Sequence, residues 1–233
     1  MQKDDMPSLA IVVPVFNEEK TLSLALKKLQ HLNIQAPDEI LFVDGGSTDN
    51  TKQIILDAGF QCLKSAQGRA KQMNFGAENI KGKIILFLHI DTSISSSNIL
   101  NIKKTYKHGF LSGRFNVILS NTDVRYRIIS FFINVRSRLS GISTGDQTMF
   151  VTRVAFEQVG GFPDFALMED VALSKKLKPL GKVACLKDTV TTSSRRWEQH
   201  GVVKTVLLMW KLRFLYWLGV SPERLAKMYR SVR

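Results

Sequence analysis

Short, nearly continuous apolar runs alternate with helical patterns over the first ninety residues. The runs occupy residues 9–13, 40–43 and 84–88. Runs of this length, rich in β-branched and leucine side chains, predict strands that are covered on both faces. Helices are predicted from near Asn17, after the polar cluster 47–49, and over 69–79. This βαβα order predicts an α/β fold, in which a mostly parallel sheet carries helices on both faces.

The apolar pattern loosens after residue 100, and the remaining elements are predicted less regularly. They are an amphipathic helix over 124–139, a strand over 148–151, a helix over 171–180, a strongly apolar helix over 202–218 and a short helix from Ser221. We interpret residues 1–200 as one α/β domain. Residues 201–233 are interpreted as a C-terminal amphipathic helical extension that packs on it.

Composition narrows the class of protein. The chain has 233 residues, of which 44% are hydrophobic and 23% charged, and this excludes a disordered or collagen-like chain. Cys62 and Cys185 lack metal-like spacing, so we expect buried free thiols. The acidic N-terminus is unlike a signal peptide, and no long stretch is free of charge. We therefore expect a cytoplasmic protein without a spanning helix.

Positive charge is concentrated in two segments. The net charge is +13, and residues 103–138 contribute eight basic residues against one acid. Residues 193–233 contribute nine basic residues against two acids, so the rest of the chain is nearly neutral. Such segments suit phosphate-rich partners, which include nucleotides, nucleic acids and anionic membranes, although a solvated basic surface is the simpler alternative.

Polar residues follow each predicted strand, where ligands of parallel sheets bind. They are residues 14–19, the turn Asp44-Gly45-Gly46-Ser47 and the segment His89-Ile90-Asp91. The glycine turn leads into a helix and allows backbone to approach an anion, but it also fits an ordinary strand-to-helix turn. Asp91 is a hard oxygen ligand suited to Mg²⁺ or Mn²⁺, and His89 is either a second ligand or a packed side chain.

Three further clusters are candidates for chemistry. Gly68 precedes a helix whose first turn is basic, a placement that costs stability unless an anion binds there. Arg69 and Gln72 share a face of that helix. Glu169-Asp170 is either a general-base site or a capping pair. Arg195-Arg196-Trp197 either clamps a phosphate or sugar, or is a surface arginine pair beside an anchoring tryptophan.

Together these motifs resemble the family 2 glycosyltransferases, which have the Rossmann-like GT-A fold. The landmarks are Pro14-Val15-Phe16-Asn17-Glu18, residues 43–49, Asp91 and Glu169-Asp170. A narrower resemblance is to a bacterial subfamily sometimes labelled as arsenosugar biosynthesis. It rests on Gly68-Arg69 with Gln72-Met73-Asn74, residues 87–92, Gly145-Asp146-Gln147 and Arg195-Arg196-Trp197.

The resemblance implies transfer of a sugar from a UDP- or GDP-linked donor to a hydroxyl acceptor by single displacement with inversion. It implies nucleotide contacts by Pro14, Val15, Phe16, Glu18, Asp44, Gly45, Gly68, Arg69, Gln72, Asn74 and His89. It also implies a divalent metal, Mg²⁺ or Mn²⁺, at Asp91. Asp170 matches the catalytic base, beside Glu169. The acceptor or the diphosphate would be met by Asp146, Arg195, Arg196 and Trp197.

The sequence departs from the family pattern at three positions. His89 stands where the family has the first acid of its Asp-x-Asp motif, and Gly45 replaces a frequent aspartate. Ser193 stands where processive members have glutamine, which argues against a polysaccharide synthase.

Other functions remain open. A nucleotidyltransferase would need a glycine-rich basic loop where residues 16–19 stand. A non-catalytic nucleotide- or membrane-binding relative is the second alternative. Nucleic acid is not expected, because the aromatic residues of 202–218 lie in an apolar helix. That helix is predicted to reach a lipid-linked or membrane-proximal acceptor, with a homodimer contact and core packing as alternatives.

Overall fold

The computed structural model describes residues 7–32, 34 and 38–230, and only the backbone of Arg230. The acidic N-terminus and residues 231–233 of the predicted extension lie outside the described residues. The strands are β1 (Leu9–Val15), β2 (Glu39–Asp44), β3 (Gln61–Lys64), β4 (Ile84–Phe87), β5 (Thr92–Ser93), β6 (Ser112–Leu119), β7 (Met149–Thr152) and β8 (Val183–Thr192).

Ten helices accompany these strands in the described part of the chain. They are α1 (Glu19–His31), α2 (Thr51–Asp57), α3 (Arg69–Asn79), α4 (Ser96–Lys107), α5 (Val124–Ser140), α6 (Arg153–Gln158), α7 (Glu169–Leu177), α8 (Arg195–His200), α9 (Val202–Trp217) and α10 (Pro222–Arg230). Short 3-10 turns occupy Gly145–Gln147 and Lys178–Leu180.

The eight strands form one mixed sheet in the order β3-β2-β1-β4-β7-β6-β8-β5. β3, β2, β1 and β4 are parallel, as predicted, and β6 and β8 are also parallel. β7 lies antiparallel between β4 and β6, and β5 pairs antiparallel with β8. The carboxyl ends of β1, β2 and β4 therefore meet at one edge, where the predicted site residues follow.

The core has two layers, one on each face of the sheet. Leu9, Ile11 and Val13 of β1 pack in the cluster that includes α1 and α2. Ala10 and Val12 point to the opposite face and pack in the cluster that includes α3 and α7. Alternate residues of β1 pack on opposite faces of the sheet, and both faces are covered by helices. A central strand of this kind therefore needs a continuous apolar run.

Several boundaries and strands differ from the sequence-based prediction. α1 begins at Glu19, after Asn17, because Asn17 has a left-handed φ of 52° that no helix accommodates. The sequence-based prediction did not include β6, which buries Arg114, or β8, which carries Lys187 and Asp188. Charged residues interrupt both runs, so the continuous-run criterion does not detect them.

The C-terminal helices pack on the α/β layers. Leu212 of α9 and Leu225 of α10 are fully buried in a cluster with Met168 and Val171. No helix within residues 7–32 and 38–230 is long and apolar enough to cross a bilayer. The division at residue 200 stays an interpretation.

Cys62 and Cys185 carry free thiols; Cys62 is buried and Cys185 is half-buried. Burial, followed by the charge of Asp44, raises the pKa of the Cys62 thiol to about 11. That thiol therefore stays protonated and unreactive at neutral pH.

Candidate active site

The loops after β1 and β2 are joined by hydrogen bonds. The backbone N–H of Asn17 donates to Ser47 Oγ at 2.9 Å, and the N–H of Thr48 donates back to Asn17 Oδ1 at 2.8 Å. The N–H of Glu18 donates to Thr51 Oγ1 at 2.8 Å. These bonds hold Asn17 in its left-handed conformation and make the two loops one rim at the sheet edge.

Asp44 lies at the end of β2, almost fully buried beneath this rim. Both of its carboxylate oxygens accept from the N–H of Ser47 at 3.1 Å, and Oδ1 also accepts from the Ser47 hydroxyl. The structure thus gives Asp44 a role in closing the turn, and its contact with a nucleotide base stays a prediction. Phe16, Asn17 and Thr48 are the exposed members of the rim, and Glu18 is half-buried.

Gln72 is buried between the ends of β1 and β2. Its Nε2 donates to the carbonyl oxygens of Val15 and Val43, each at 2.8 Å. A Cβ at Gly45 would lie 3.0 Å from the Gln72 Oε1, so glycine is needed for this close approach. Gln72 therefore ties two strand ends together, and its predicted nucleotide contact is not tested by this geometry.

Asn74, one turn after Arg69 on α3, binds the turn after α6. Its Nδ2 donates to the Phe162 carbonyl at 2.8 Å, and its Oδ1 accepts from the Phe162 N–H at 2.9 Å. Both ends of the amide are thus used inside the protein. The nucleotide contact of Asn74 stays a prediction. Gly68, with a φ of 137°, directly precedes α3, the helix that carries Asn74.

Arg69 is the point on which the predicted acidic residues converge. Arg69 keeps an exposed side chain. Desolvation by its neighbours lowers the pKa of Arg69, but the charges of Glu169, Asp91 and Asp170 outweigh that effect and raise it overall. Tyr229 of α10 adds to the same effect. The first turn of α3, the end of β4 and the start of α7 therefore meet around one guanidinium.

Glu169 and Asp170 form a coupled pair of carboxyl groups at the start of α7. Burial, followed by the charge of Asp170, raises the pKa of Glu169 to about 7, against the opposing effect of Arg69. Burial also raises the pKa of Asp170, although the N–H groups of Gly145 and Val171 lower it. Those N–H groups donate to Asp170 at 2.9 and 2.7 Å and fix its orientation.

Two residues with strained backbone conformations lie near the Glu169–Asp170 pair. Met168, which precedes Glu169, has a φ of 69°, and Thr148, which follows the turn Gly145–Gln147, has a φ of 55°. Non-glycine residues hold such conformations only where surrounding contacts impose them, and they concentrate at functional sites. With Asn17, every non-glycine residue of positive φ in the described chain borders this region.

On the other side of Asp170 lie charged residues from three elements. Burial and the nearby Arg213 lower the pKa of Arg136 to about 10, against the attraction of Asp146 and Asp170. The Arg136 Nε is buried and has no hydrogen-bond partner among the described residues. Its guanidinium reaches Thr144 Oγ1 only at 3.4 Å. This side is therefore cationic and has unused donor capacity.

His89 is packed between the two sides. A Cβ at Gly145 would lie 2.1 Å from the His89 Cε1, so the ring rests against the turn that also holds Asp170. Burial, with the positive charges of Arg69 and Arg196, lowers the pKa of His89 well below its usual range. The imidazole is therefore neutral at pH 7. This arrangement fits a packed side chain, and it equally fits the predicted contact between His89 and the nucleotide.

Asp91 is exposed at the end of β4. Among the described residues, the hydrogen bond to its carboxylate is a long one from Thr92 Oγ1 at 3.4 Å. No group of three or more histidine, cysteine, aspartate or glutamate side chains in that same part of the chain could hold a metal ion. Mg²⁺ commonly uses one or two carboxylates and completes its shell with substrate phosphates and water. A free carboxylate at this position fits that mode of binding.

The segment 195–197 divides between the site and the core. The Arg196 guanidinium lies 5.2 Å from the centre of the Tyr229 ring and close enough to His89 to affect its charge. Trp197 packs against a cluster of Leu119 and neighbouring α5 side chains, as the anchoring alternative anticipated. Arg195 is exposed. The acceptor or diphosphate contacts of the three residues stay predictions.

The structure therefore unites residues that the sequence had placed in separate motifs. Around the Glu169–Asp170 pair it gathers Arg69, His89, Asp91, Asp146 and Arg196. Arg136, Arg213 and Tyr229 belong to the same group and were not predicted individually. The clustering of basic charge in 103–138 and 193–233 was the available signal, but charge counts cannot identify which side chains point inward.

The comparisons with known proteins agree on the family. The model of "Glycosyl transferase family 2" matches residues 10–160. The probable glycosyltransferase YdaM of Bacillus subtilis is 24% identical over 207 residues, covering 76% of this chain and 48% of that protein. Poly-beta-1,6-N-acetyl-D-glucosamine synthase of Staphylococcus epidermidis is 26% identical, covering 76% and 47%. The chain thus spans about half the length of the curated relatives it matches.

Solved structures share the fold. TarS 1–349 of S. aureus, known in complex with UDP-GlcNAc, has a TM-score of 0.64 and 18% identity, covering 80% of this chain and 58% of that one. The mannosyltransferase PcManGT of Pyrobaculum calidifontis, in complex with GDP-Man and Mn²⁺, has a TM-score of 0.63 and 17% identity, covering 80% and 56%. The expected GT-A type of fold is confirmed. The chain therefore belongs to glycosyl transferase family 2.

Proposed function

We propose that this protein transfers a sugar from a nucleoside-diphosphate sugar to a hydroxyl acceptor, with inversion at the anomeric carbon. The observation that carries the proposal is the Glu169–Asp170 pair, in which Glu169 is buried and Asp170 is half-buried. Backbone N–H groups orient Asp170, and the charges of both carboxylates and of Asp91 act on Arg69. Structural neighbours in complex with UDP-GlcNAc and with GDP-Man and Mn²⁺ support the class of donor.

Asp170 is assigned as the general base, and Glu169 as its partner on the donor side. The two carboxyl groups differ in their main neighbours: Glu169 has the larger effect on Arg69 of α3, whereas Asp170, which acts on Arg69 less, also interacts with Asp146 and Arg213. The α3 side carries the predicted nucleotide contacts. Asp170 therefore faces the region from which the acceptor would approach.

In the proposed step, the acceptor oxygen attacks the anomeric carbon while its proton passes to the Asp170 carboxylate. The bond between the anomeric carbon and the diphosphate oxygen breaks, and the electron pair leaves with the diphosphate. Desolvation raises the pKa of Asp170, which makes it a stronger base than an exposed aspartate. The N–H groups of Gly145 and Val171 keep the carboxylate in place while the proton moves.

Negative charge that develops on the departing diphosphate needs compensation. Arg69 lies in the first turn of α3, where its guanidinium and the helix N-terminus would bind the phosphates together. Asp91 would hold a divalent cation, Mg²⁺ or Mn²⁺, which would neutralise part of that charge when bound. Phe16 and Glu18, on the exposed rim of the nucleotide loops, are assigned to the base and ribose.

Calorimetric titration with UDP and GDP, each with and without Mn²⁺, tests the proposal. We expect one nucleotide to bind in a metal-dependent manner and Asp91→Asn to abolish the metal dependence. Asp188→Asn, a substitution of the same type on β8, is the matched control and should bind like the unmodified protein. If neither nucleotide binds under any condition, the donor assignment is wrong.

A further inference from the structure

α9 exposes a continuous stripe of large apolar side chains, which we call the α9 stripe. Its members are Val203, Leu207, Trp210, Phe214 and Trp217, each 58–73% exposed. The spacing of four and three residues places them within an arc of about 80° on the helix surface. The opposite face of α9 buries Thr205 and Leu212. Core packing, one of the alternatives considered for this segment, therefore accounts for the inner face of the helix and leaves the stripe unexplained.

The charges of α9 indicate which kind of partner the α9 stripe would bind. α9 contains Lys204, Lys211 and Arg213 and no acidic residue. Helical geometry places Lys204 and Lys211 along one border of the stripe, where both are exposed. Long basic side chains beside an aromatic and aliphatic stripe can lie along the acyl boundary while their charges reach lipid phosphates.

A second helix repeats the same arrangement beside the first. α5 exposes Val124, Ile128, Phe131, Phe132 and Leu139, and it carries four arginines without an acid. The two helices meet where Val202 and Val206 pack against the cluster of Tyr126 and Ile129. Two adjoining helices thus combine exposed apolar area with positive charge alone.

We propose that the α9 stripe docks this protein onto an anionic lipid bilayer, with α5 as an adjoining contact. A second copy of the chain is a poor occupant, because it would bring a matching set of exposed cationic residues, among them Lys204, Lys211 and Arg127, against these helices. Nucleic acid would satisfy the charges but would leave the apolar stripe in water. A bilayer with anionic headgroups satisfies both features.

Docking by α9 would also orient the site. Arg213 lies on the same helix, one residue from Phe214, and its charge acts on Asp170. The α9 stripe and the carboxylate pair are therefore joined through one rigid element. An acceptor held at a membrane would be presented close to the proposed base.

Co-sedimentation of the full chain with phosphatidylcholine vesicles, with and without phosphatidylglycerol, tests the proposal. We expect binding that requires phosphatidylglycerol and weakens at high salt. Trp210→Ser with Phe214→Ser and Trp217→Ser should weaken it by more than about tenfold, through loss of apolar contact. Lys204→Glu with Lys211→Glu should weaken it roughly tenfold or more, while the stripe itself stays intact.

The matched control is Leu24→Ser with Val154→Ser, which removes two similarly exposed apolar side chains from α1 and α6 and should bind like the parent. Circular dichroism verifies that each variant is folded. The proposal is overturned if the unmodified protein ignores anionic vesicles, or if the stripe variant binds as tightly as the control. It is also overturned if the stripe variant instead converts a dimer into a monomer in sedimentation equilibrium. No donor is present, so these outcomes are independent of the proposed sugar transfer.

Discussion

The proposed donor side, formed by the loops after β1 and β2, and the proposed catalytic side, formed around Glu169 and Asp170, are stabilised by different kinds of interaction. On the donor side, Asn17, Asp44 and Gln72 are engaged by short hydrogen bonds to backbone and hydroxyl groups of neighbouring loops. On the catalytic side, Glu169 and Asp170 sit among charged groups whose mutual effects shift their pKa values upward. One side is set by local geometry, and the other by the balance of charges from distant elements.

This difference indicates how substitutions should act on each side. A loop held by hydrogen bonds is little affected by a change in pH, but it is disturbed by a substitution that alters the shape of a side chain in it. A cluster of coupled charges responds to the loss of one member through the pKa values of the rest. Changes on the catalytic side should therefore alter pH profiles, and changes on the donor side should alter nucleotide affinity and stability.

The largest effect is expected from Asp170→Asn. Without a carboxylate to take the acceptor proton, sugar transfer should fall by ~10²–10⁴. Nucleotide affinity, measured by calorimetry, should stay within a small factor, because the proposal assigns Asp170 to the acceptor side. Asp164→Asn, which alters an exposed aspartate paired with Lys71, is the matched control and should keep full activity. Equal activity in the two variants would show that Asp170 is not the base.

Arg69→Gln should affect both sides at once. Loss of a charged donor to the diphosphate should weaken nucleotide binding roughly tenfold to a hundredfold. Because Arg69 lowers the pKa of Glu169, its removal should move the acidic limb of the pH–rate profile to higher pH. Lys71→Gln, two residues along the same helix, should produce neither change. If the acidic limb of the pH–rate profile did not shift in Arg69→Gln, Arg69 would not influence the pKa of the carboxylate pair.

Gly145→Ala tests the contact between the turn Gly145–Gln147 and His89. The added Cβ would lie 2.1 Å from the imidazole, so thermal or denaturant unfolding should show a loss of about 1–3 kcal/mol. His89→Ala removes the ring that the new methyl group meets. The double variant should therefore be about as stable as His89→Ala alone, whereas additive losses would mean that the clash is not the cause.

The effect of Glu169→Gln on stability should be no larger than that of Gly145→Ala, and it should depend on pH. The pKa of Glu169 is raised from its usual 4.5 to about 7, so the folded protein binds this proton more tightly than the unfolded chain. Stability contributed by the protonated group is present below pH 4.5 and is lost as pH rises towards 7. Glu169→Gln should therefore increase the free energy of unfolding at pH 8 by roughly 1–3 kcal/mol, with little change at pH 4.

The control for that prediction is Glu78→Gln, which replaces an exposed glutamate on α3. Chemical denaturation of both variants across pH gives the comparison. Parallel curves for the two variants would contradict the assigned pKa of Glu169.

The sequence predicted the donor side better than the catalytic side, for a physical reason. The β1, β2 and β4 strands are buried on both faces, and their continuous apolar runs make them visible without an alignment. β6 and β8 were missed because charged residues interrupt their patterns. Arg136 and Arg213 reach Asp170 from helices that are far apart along the chain, and no local pattern encodes that meeting.

Motif spacing gave the positions of several side chains but not always their roles. Gln72 and Asn74 were singled out with Arg69, yet both amides are occupied by backbone groups of neighbouring elements. Trp197 likewise packs in the hydrophobic core beside α5. A residue's place in a motif does not distinguish a ligand contact from a side chain that holds the motif in shape. The narrower resemblance to the arsenosugar subfamily stays a prediction.

Direct displacement at the anomeric carbon is the central claim, and the configuration of the first product tests it most directly. Proton NMR would follow the sugar released when the protein hydrolyses an α-linked donor, either UDP-glucose or GDP-mannose, before the product equilibrates in water. A single displacement predicts that the β-anomer appears first and that Asp170→Asn suppresses its formation. Initial release of the α-anomer would contradict the account, because retention requires a second displacement that a single general base does not provide.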